Sequence, residues 1–380
     1  MKKHLSLLIV LLLSHVVTIA QKKHGLTIVI KSPLTPSVRL QEIVSIKWND
    51  IVSKYPGIKS ENFKVLGTDN IELPFQLEYK GLTVIQNLLV QVTISSGKVL
   101  KLKVVDGKPV TLTPKVFGRY VPERKDDFAW ENDKVAFRMY GKALEATNEN
   151  AYGIDVWAKR TDKLILNKWY KSGDYHADHG DGLDYYHVGF TLGAGDVAPY
   201  VEGKIAFPKN YRKWKILDQG PLRFSFQLEY DEWDVEGTLV KVTKLFSLDA
   251  GSQLNRVEAT FSFSNGNGLL PVVVGIVKRK EKGTISSIVN NNGVLGYWEP
   301  EHGLDGVLGI GTIMLSPSNK SIETETHLLQ ETMSKNGEAV IYYTGAAWNK
   351  AGAISTAEEW FRYLNLYKST INSPLEIKIN

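Results

Sequence analysis

Short runs of alternating apolar and polar residues, broken every few positions by Gly, Asn or Asp, dominate this sequence and constrain it to β-structure. Such alternation occurs at 26–31, 42–48, 88–94, 99–105 and 110–112. Turn signals fall at Ser95-Ser96-Gly97 and Asp106-Gly107, and a helical turn is expected at 51–55. Residues 21–115 thus read as a small N-terminal β-sandwich with an accessory role, packing or sugar-binding. Further strands are expected at 134–140, 223–230, 239–248, 256–263, 272–277 and 340–344, with a tight turn at 265–268. Residues 116–380 then form one large antiparallel, supersandwich-like domain in an all-β chain. A single strong helix signal lies at 356–366, where Thr356 can cap and Glu358 and Glu359 occupy the first turn.

The N-terminus predicts export. Lys2, Lys3 and His4 precede an apolar run beginning at Leu5, and Thr18-Ile19-Ala20 supplies small residues for cleavage near Ala20. The run is too short to favour a membrane anchor, and no other segment reaches a spanning length, so membrane insertion is not expected. The chain has no cysteine, which excludes a disulfide framework and a lipid-anchored signal. The net charge is only +5, and Lys2 and Lys3 account for two of it. That does not point to nucleic acid, and it is compatible with an anionic substrate.

Chemistry-bearing residues concentrate between Glu123 and His187. The stretch 174–187 (DYHADHGDGLDYYH) holds three His and four Asp, although the whole chain has only 8 His. Gly180 and Gly182 make its first half a loop. Its His176, Asp178, His179, Asp181 and Asp184 offer N/O ligands, the carboxylates of Asp178, Asp181 and Asp184 suiting calcium and the mixed set zinc. No cofactor is required by any motif. The same Asp residues also suit a polar turn that bonds backbone N–H groups. In the strand expected after the loop, Tyr185 and His187 point to one face and Tyr186 and Val188 to the other. Facing a cleft, that pair would transfer protons, and facing the core it would pack.

Arg138 interrupts an apolar run and therefore needs a carboxylate partner, from protein or substrate. Arg124 lies in a loop among acids. Trp130 and Asn132 belong to a polar turn with an aromatic edge. In GIDVWAKR, Asp155, Trp157 and Lys159 share one face, a candidate cleft floor. Trp298 and His302 lie in a later turn with Glu299 and Glu301, and Tyr175 and Trp298 are rings suited to sugar faces. Dinucleotide, phosphate-loop, nucleophile-elbow and zincin patterns are absent.

The motifs RYVPERKDDFAWENDKVAFRMYG, GIDVWAKR, KWY, YHADHGDGLDYYHVG and YYTGAAWNK resemble the secreted bacterial family catalogued as domain of unknown function 4861. KLFSLDAGSQLNRVEATF is also similar to central strands of galactose-mutarotase-type supersandwiches. The family resemblance implies action on uronyl oligosaccharides of the ulvan type, by eliminating water from the non-reducing-end uronic acid. It brings no catalytic residues with it. Residue chemistry offers His176 or His179 as base, Tyr185 or Tyr175 as acid, and Arg138 or Arg124, with Asn132, to neutralise the substrate carboxylate, while His302 is a further catalytic candidate that also suits a solvated turn. Trp130, Trp157, Lys159, Tyr175, His187 and Trp298 complete the expected sugar-binding set. A lyase on uronic-acid glycans and a non-catalytic sugar-binding protein are the alternatives.

Overall fold

The computed structural model describes residues 25–35, 38–264, 268–286, 293–315 and 320–380. The export segment and the turn at 265–267 lie outside these residues. The chain is mostly antiparallel β-sheet, as the alternation requires.

The first sandwich pairs two sheets. One holds Gly25–Lys31, Val99–Asp106 and Phe63–Leu66, the other Val38–Lys47, Asn87–Ser95 and Phe75–Glu78. Ile28, Ile30, Val44, Ile46, Leu88, Val90, Leu102 and Val104 turn inward between them. The helical turn expected at 51–55 begins earlier, as helix Trp48–Lys54. The strand expected at 110–112 does not form.

The boundary near 115 is crossed once more than the sequence pattern implies. The last strand, Glu376–Ile379, returns to the first sandwich and pairs with Gly25–Lys31, placing Ile379 opposite Ile28. The two parts are also joined by polar contacts. Gln76 Oε1 accepts from Leu222 N at 2.9 Å and Arg223 N at 2.7 Å, and Arg223 pairs with Glu78 at 2.8 Å. This part therefore packs tightly on the rest of the chain.

The described residues of 116–375 form three sheets. The largest runs from Lys213–Gln219 through Arg223–Glu229, Thr238–Asp249, Leu254–Phe263, Ala339–Trp348, Leu308–Met314 and Val294–Trp298 to Thr284–Ile285. A five-stranded sheet orders Gly182–Leu183, Asp155–Lys159, Ala136–Met139, Asp127–Asn132 and Val116–Val121. Another centres on Ala194–Val201, Leu269–Val277 and His327–Lys335. Phe128, Trp130 and Phe137 meet Phe226 and Phe246 of the large sheet in an aromatic core.

The expected helix extends to Ala357–Asn372 and covers the outer face of the large sheet with Trp360 and Leu364. It sits close because Gly311 faces it. A Cβ there would lie 2.6 Å from Leu364. Thr356 Oγ1 accepts from Glu359 N at 3.2 Å, the anticipated cap. Thr356→Ala is expected to cost about 1 kcal/mol, read by urea denaturation. No change in midpoint would show that the helix is held by packing alone.

Candidate active site

The site is built on the sheet that carries Arg138. Strand pairing sets Asp155 directly opposite Arg138, Asp127 begins the adjacent strand, and the His/Asp loop delivers Asp184. The guanidinium, with its side chain 4% exposed, lies 2.5 Å from Asp155 Oδ2, 2.9 Å from Asp184 Oδ2 and 3.9 Å from Asp127 Oδ2. Tyr140 and Trp157 rings lie 5.1 and 5.2 Å away. The sequence left the source of Arg138's partner open, and the protein itself supplies it. Arg138 is thus withdrawn from the substrate and holds the site together.

Three buried acids share Arg138, with Arg124 3.5 Å from Asp127 and also reaching Glu149, and with the His176 ring 3.9 Å from Asp184. Burial pushes Asp127 and Asp184 up to about 7 against the pull of Arg138. Glu299, buried beside Arg279, is likewise pushed up to about 7. Each binds its proton more tightly folded than unfolded. Each contribution is therefore fully present below about pH 4 and is lost as pH rises through about 7, at about 1.4 kcal/mol per pH unit for each group. His327, pushed down to about 4 by burial, acts oppositely, its contribution fading as pH falls through that value. Three acids outweigh one imidazole, so the melting temperature should fall between pH 5 and pH 8, with a shallower slope in Asp127→Asn. A melting temperature that rises over that range would refute the assignment of buried, protonated acids.

Several expected site residues lie in the core. Trp130 is fully buried and donates from Nε1 to Asn255 Oδ1 at 2.7 Å. Asn132 ties the chain to Asp249 O and Ser252 O, both at 2.7 Å. Lys159, 0% exposed, pairs with Glu131 at 2.7 Å. Trp157 is stacked between Trp169 and Tyr175 at 5.3 and 5.1 Å, and Tyr175 is buried with it. Every residue of strand Asp155–Lys159 is buried, so it is an interior strand and no cleft floor. Trp298 packs toward helix Ala357–Asn372. Trp130, Asn132, Trp157, Lys159 and Tyr175 therefore present no open sugar-binding face, while Trp298 stays half-buried.

The metal expectation also fails on geometry. Asp178 pairs with Arg160 at 2.6 Å, Asp181 with Lys168 at 2.5 Å, and Asp184 with Arg138. Each carboxylate is held by a different cation, and the described residues contain no group of three or more His, Asp or Glu suited to a metal. The residues do not fit calcium or zinc. His179 bonds Asp174 at 2.9 Å on the outer surface of the loop. His176 stays beside the acid cluster, its Nδ1 2.8 Å from Asp184 O.

What the structure brings together is Tyr185 and His302. Their rings stack with centroids 5.0 Å apart. The strand expected after the loop is limited to Gly182–Leu183, and residues 184–188 form no regular element, yet Tyr186 and Val188 are buried while Tyr185 is half-buried and His187 exposed, so Tyr185 and His187 turn outward. His302 Nδ1 lies 3.0 Å from Asp305 Oδ2, which assigns the proton to Nδ1 and leaves Nε2 an acceptor. Tyr185 Oη is buried, makes no hydrogen bond of good geometry among the described residues, and has the Trp348 side chain as its nearby hydrogen-bonding group. Burial, with Glu299 and Asp305 nearby, pushes the phenol upward, so it holds its proton. Arg279 bonds Glu299 Oε1 at 2.6 Å and His187 O at 2.6 Å, and lies 4.4 Å over the Tyr186 ring.

Arg279, Asp305, Arg160 and Trp348 carry no sequence signal strong enough to single them out. Arg279 sits in a charge run, KRKEKG, that reads as a solvated face. Asp305 offers a usable hint, since it follows His302 by three residues across a glycine turn.

The architecture is that of a β-sandwich protein. It superposes on an α-mannosidase from Enterococcus faecalis V583 with a TM-score of 0.51, at 9% identity over 94% of this chain and 46% of that one. A glycosyl hydrolase family 38 protein from Enterococcus faecalis gives a TM-score of 0.53, at 9% identity over 94% of this chain and 47% of that one. The chain spans about half the length of these structures, and the likeness is one of fold. The chain belongs to the family described as Domain of unknown function (DUF4861), whose model matches residues 31–377. It is also 33% identical, over 73% of each chain, to Uncharacterized protein P7 of Formosa agariphila. No helix among the described residues is long and apolar enough to cross a membrane.

Proposed function

We propose that the protein, acting after export, eliminates water from the non-reducing-end uronic acid of sulfated oligosaccharides, in degradation of ulvan-type polysaccharides. The product is a 4,5-unsaturated uronyl oligosaccharide. A base removes the C5 proton, the electrons form the C4–C5 double bond, and O4 leaves with a proton from an acid. The C5 proton is weakly acidic because the adjacent carboxylate is already negative, so that charge must be offset.

The observation that carries the reading is the stacked Tyr185–His302 pair with Asp305 behind the imidazole. His302 Nε2 is the base. Tyr185 Oη, which retains its proton at neutral pH, is the acid. Arg279 replaces Arg138 as the cation for the substrate carboxylate. When Glu299 takes up a proton near neutrality, the Arg279 charge is no longer offset by it.

A lyase would use the same residues with a sugar in place of the C4 hydroxyl as leaving group. Incubation with saturated uronyl oligosaccharides, sulfated and desulfated, separates the readings by mass and ultraviolet absorbance. Loss of one water with new absorbance supports the dehydratase. Chain scission with new absorbance indicates the lyase. Binding without either change would leave a sugar-binding protein.

A further inference from the structure

The turn that presents His302 has little support of its own. It closes through His302 N to Gly306 O and Asp305 N to His302 O, both at 2.9 Å, while Leu304 at its tip is 93% exposed. Its support comes from the end of strand Ala339–Trp348. Trp348 Nε1 donates to Asp305 O at 2.8 Å, and Lys350 Nζ donates to Leu304 O. Asn349 Oδ1 accepts from Val307 N at 3.0 Å and would collide with a Cβ on Gly306, whose φ is +90°. On the other side, the Arg160 guanidinium lies 5.5 Å over the Trp348 ring. Arg160 in turn grips the His/Asp loop, through Asp178 at 2.6 Å and Gly180 O at 3.1 Å. Asp178 accepts from Gly180 N at 2.8 Å and Gly182 N at 3.2 Å, which fixes the loop leading to Tyr185.

We infer that Arg160 and Trp348 form a strap that sets the His302 turn and the Tyr185 loop in register with each other, making both residues positioning residues for the reaction. The inference rests on the functional reading above. An indole N–H has one donor, and Asp305 O receives it. Without that bond the turn loses its fixed depth, the Asp305 carboxylate no longer holds His302 Nδ1–H in one direction, and the acceptor nitrogen loses its aim. Outer partners of this kind typically act at about the 10- to 100-fold level. Glu299, Arg279 and Lys350 also face this turn and are untouched by the substitutions below.

The test uses the full chain and three variants. Trp348→Phe keeps an aromatic surface for Arg160 and removes the donor together with part of the buried ring, so the His302 tautomer is read beside kcat. It should lower kcat by about tenfold with KM within about twofold. Arg160→Ala should lower kcat in the same way, and Arg160→Lys should recover part of it. Long-range proton–nitrogen spectra of the His302 ring, assigned by its loss in His302→Ala, give a readout independent of turnover. The wild type should show the Nδ1–H tautomer, and Trp348→Phe a mixture. Wild-type kcat and an unchanged tautomer in both Trp348→Phe and Arg160→Ala would overturn the strap. Should Trp348→Phe fail to fold by circular dichroism, Arg160→Ala decides alone. If the wild type turns over no uronyl oligosaccharide, the functional reading fails while the ring spectra still decide the strap.

Discussion

Arg138→Met should lose at least about 3–5 kcal/mol of stability at pH 8, the range expected when one partner of a buried ion pair is removed. The loss falls at the upper end because Asp127, Asp155 and Asp184 are all buried around that guanidinium. Methionine fills much of the same volume, so the cost comes from uncompensated charge rather than a cavity. The direction of the pH dependence follows. Asp127 and Asp184 are already pushed up to about 7, and without the cation they would take up protons more readily still. Arg138→Met should therefore recover much of its deficit at pH 5, measured by urea denaturation at both pH values. A variant within about 1 kcal/mol of wild type at pH 8 would mean that Arg138 is dispensable to the fold. It would then be available to a substrate after all.

His302→Ala should reduce kcat on saturated uronyl oligosaccharides by about 100- to 10,000-fold, the usual contribution of a positioned general base. KM should change little, because the imidazole acts on a proton that moves only in the transition state. Tyr185→Phe should show a similar kcat loss, since it removes the proton donor and keeps the ring that stacks on His302. His176→Ala should have a much smaller effect, because its Nδ1 faces the Asp184 backbone carbonyl and the neighbouring Tyr175 ring, 4.6 Å away, is buried against Trp157. His179→Ala should be silent. If His176→Ala abolished unsaturated-product absorbance while His302→Ala did not, the base would belong to the His/Asp loop and His302 would lose its role. Equal, wild-type rates in both would remove histidine base chemistry altogether.

The sequence pattern placed Trp130, Asn132, Trp157 and Lys159 at a cleft, and the structure buries all four. Alternation marks which residues point together, and it correctly separated Tyr185 and His187 from Tyr186 and Val188. It cannot say whether a face meets water or a second layer. That is why Trp157 and Lys159, spaced like a cleft floor, proved to be interior. The short helix Leu166–Ser172 is illegible for a related reason. Its N-terminal N–H groups are received by Glu131, with Ile165 N and Leu166 N both 2.7–2.9 Å from that carboxylate, and no local residue caps it. A cap supplied from a distant strand leaves no mark beside the helix.

What the chain determined by itself is what short-range physics determines: β-structure from a period of two, a terminal helix from Thr356 and its acidic first turn, and an arginine that had to find carboxylates because its surroundings are apolar. Only the tertiary structure decided which carboxylates those were, that Asp178, Asp181 and Asp184 would each go to a different cation, and that the last strand would return to the first sandwich. It alone placed His302 on Tyr185 and Trp348 behind Asp305. Those contacts join residues far apart in the chain. Their energies depend on the layers that bring them together, and no local pattern encodes that approach.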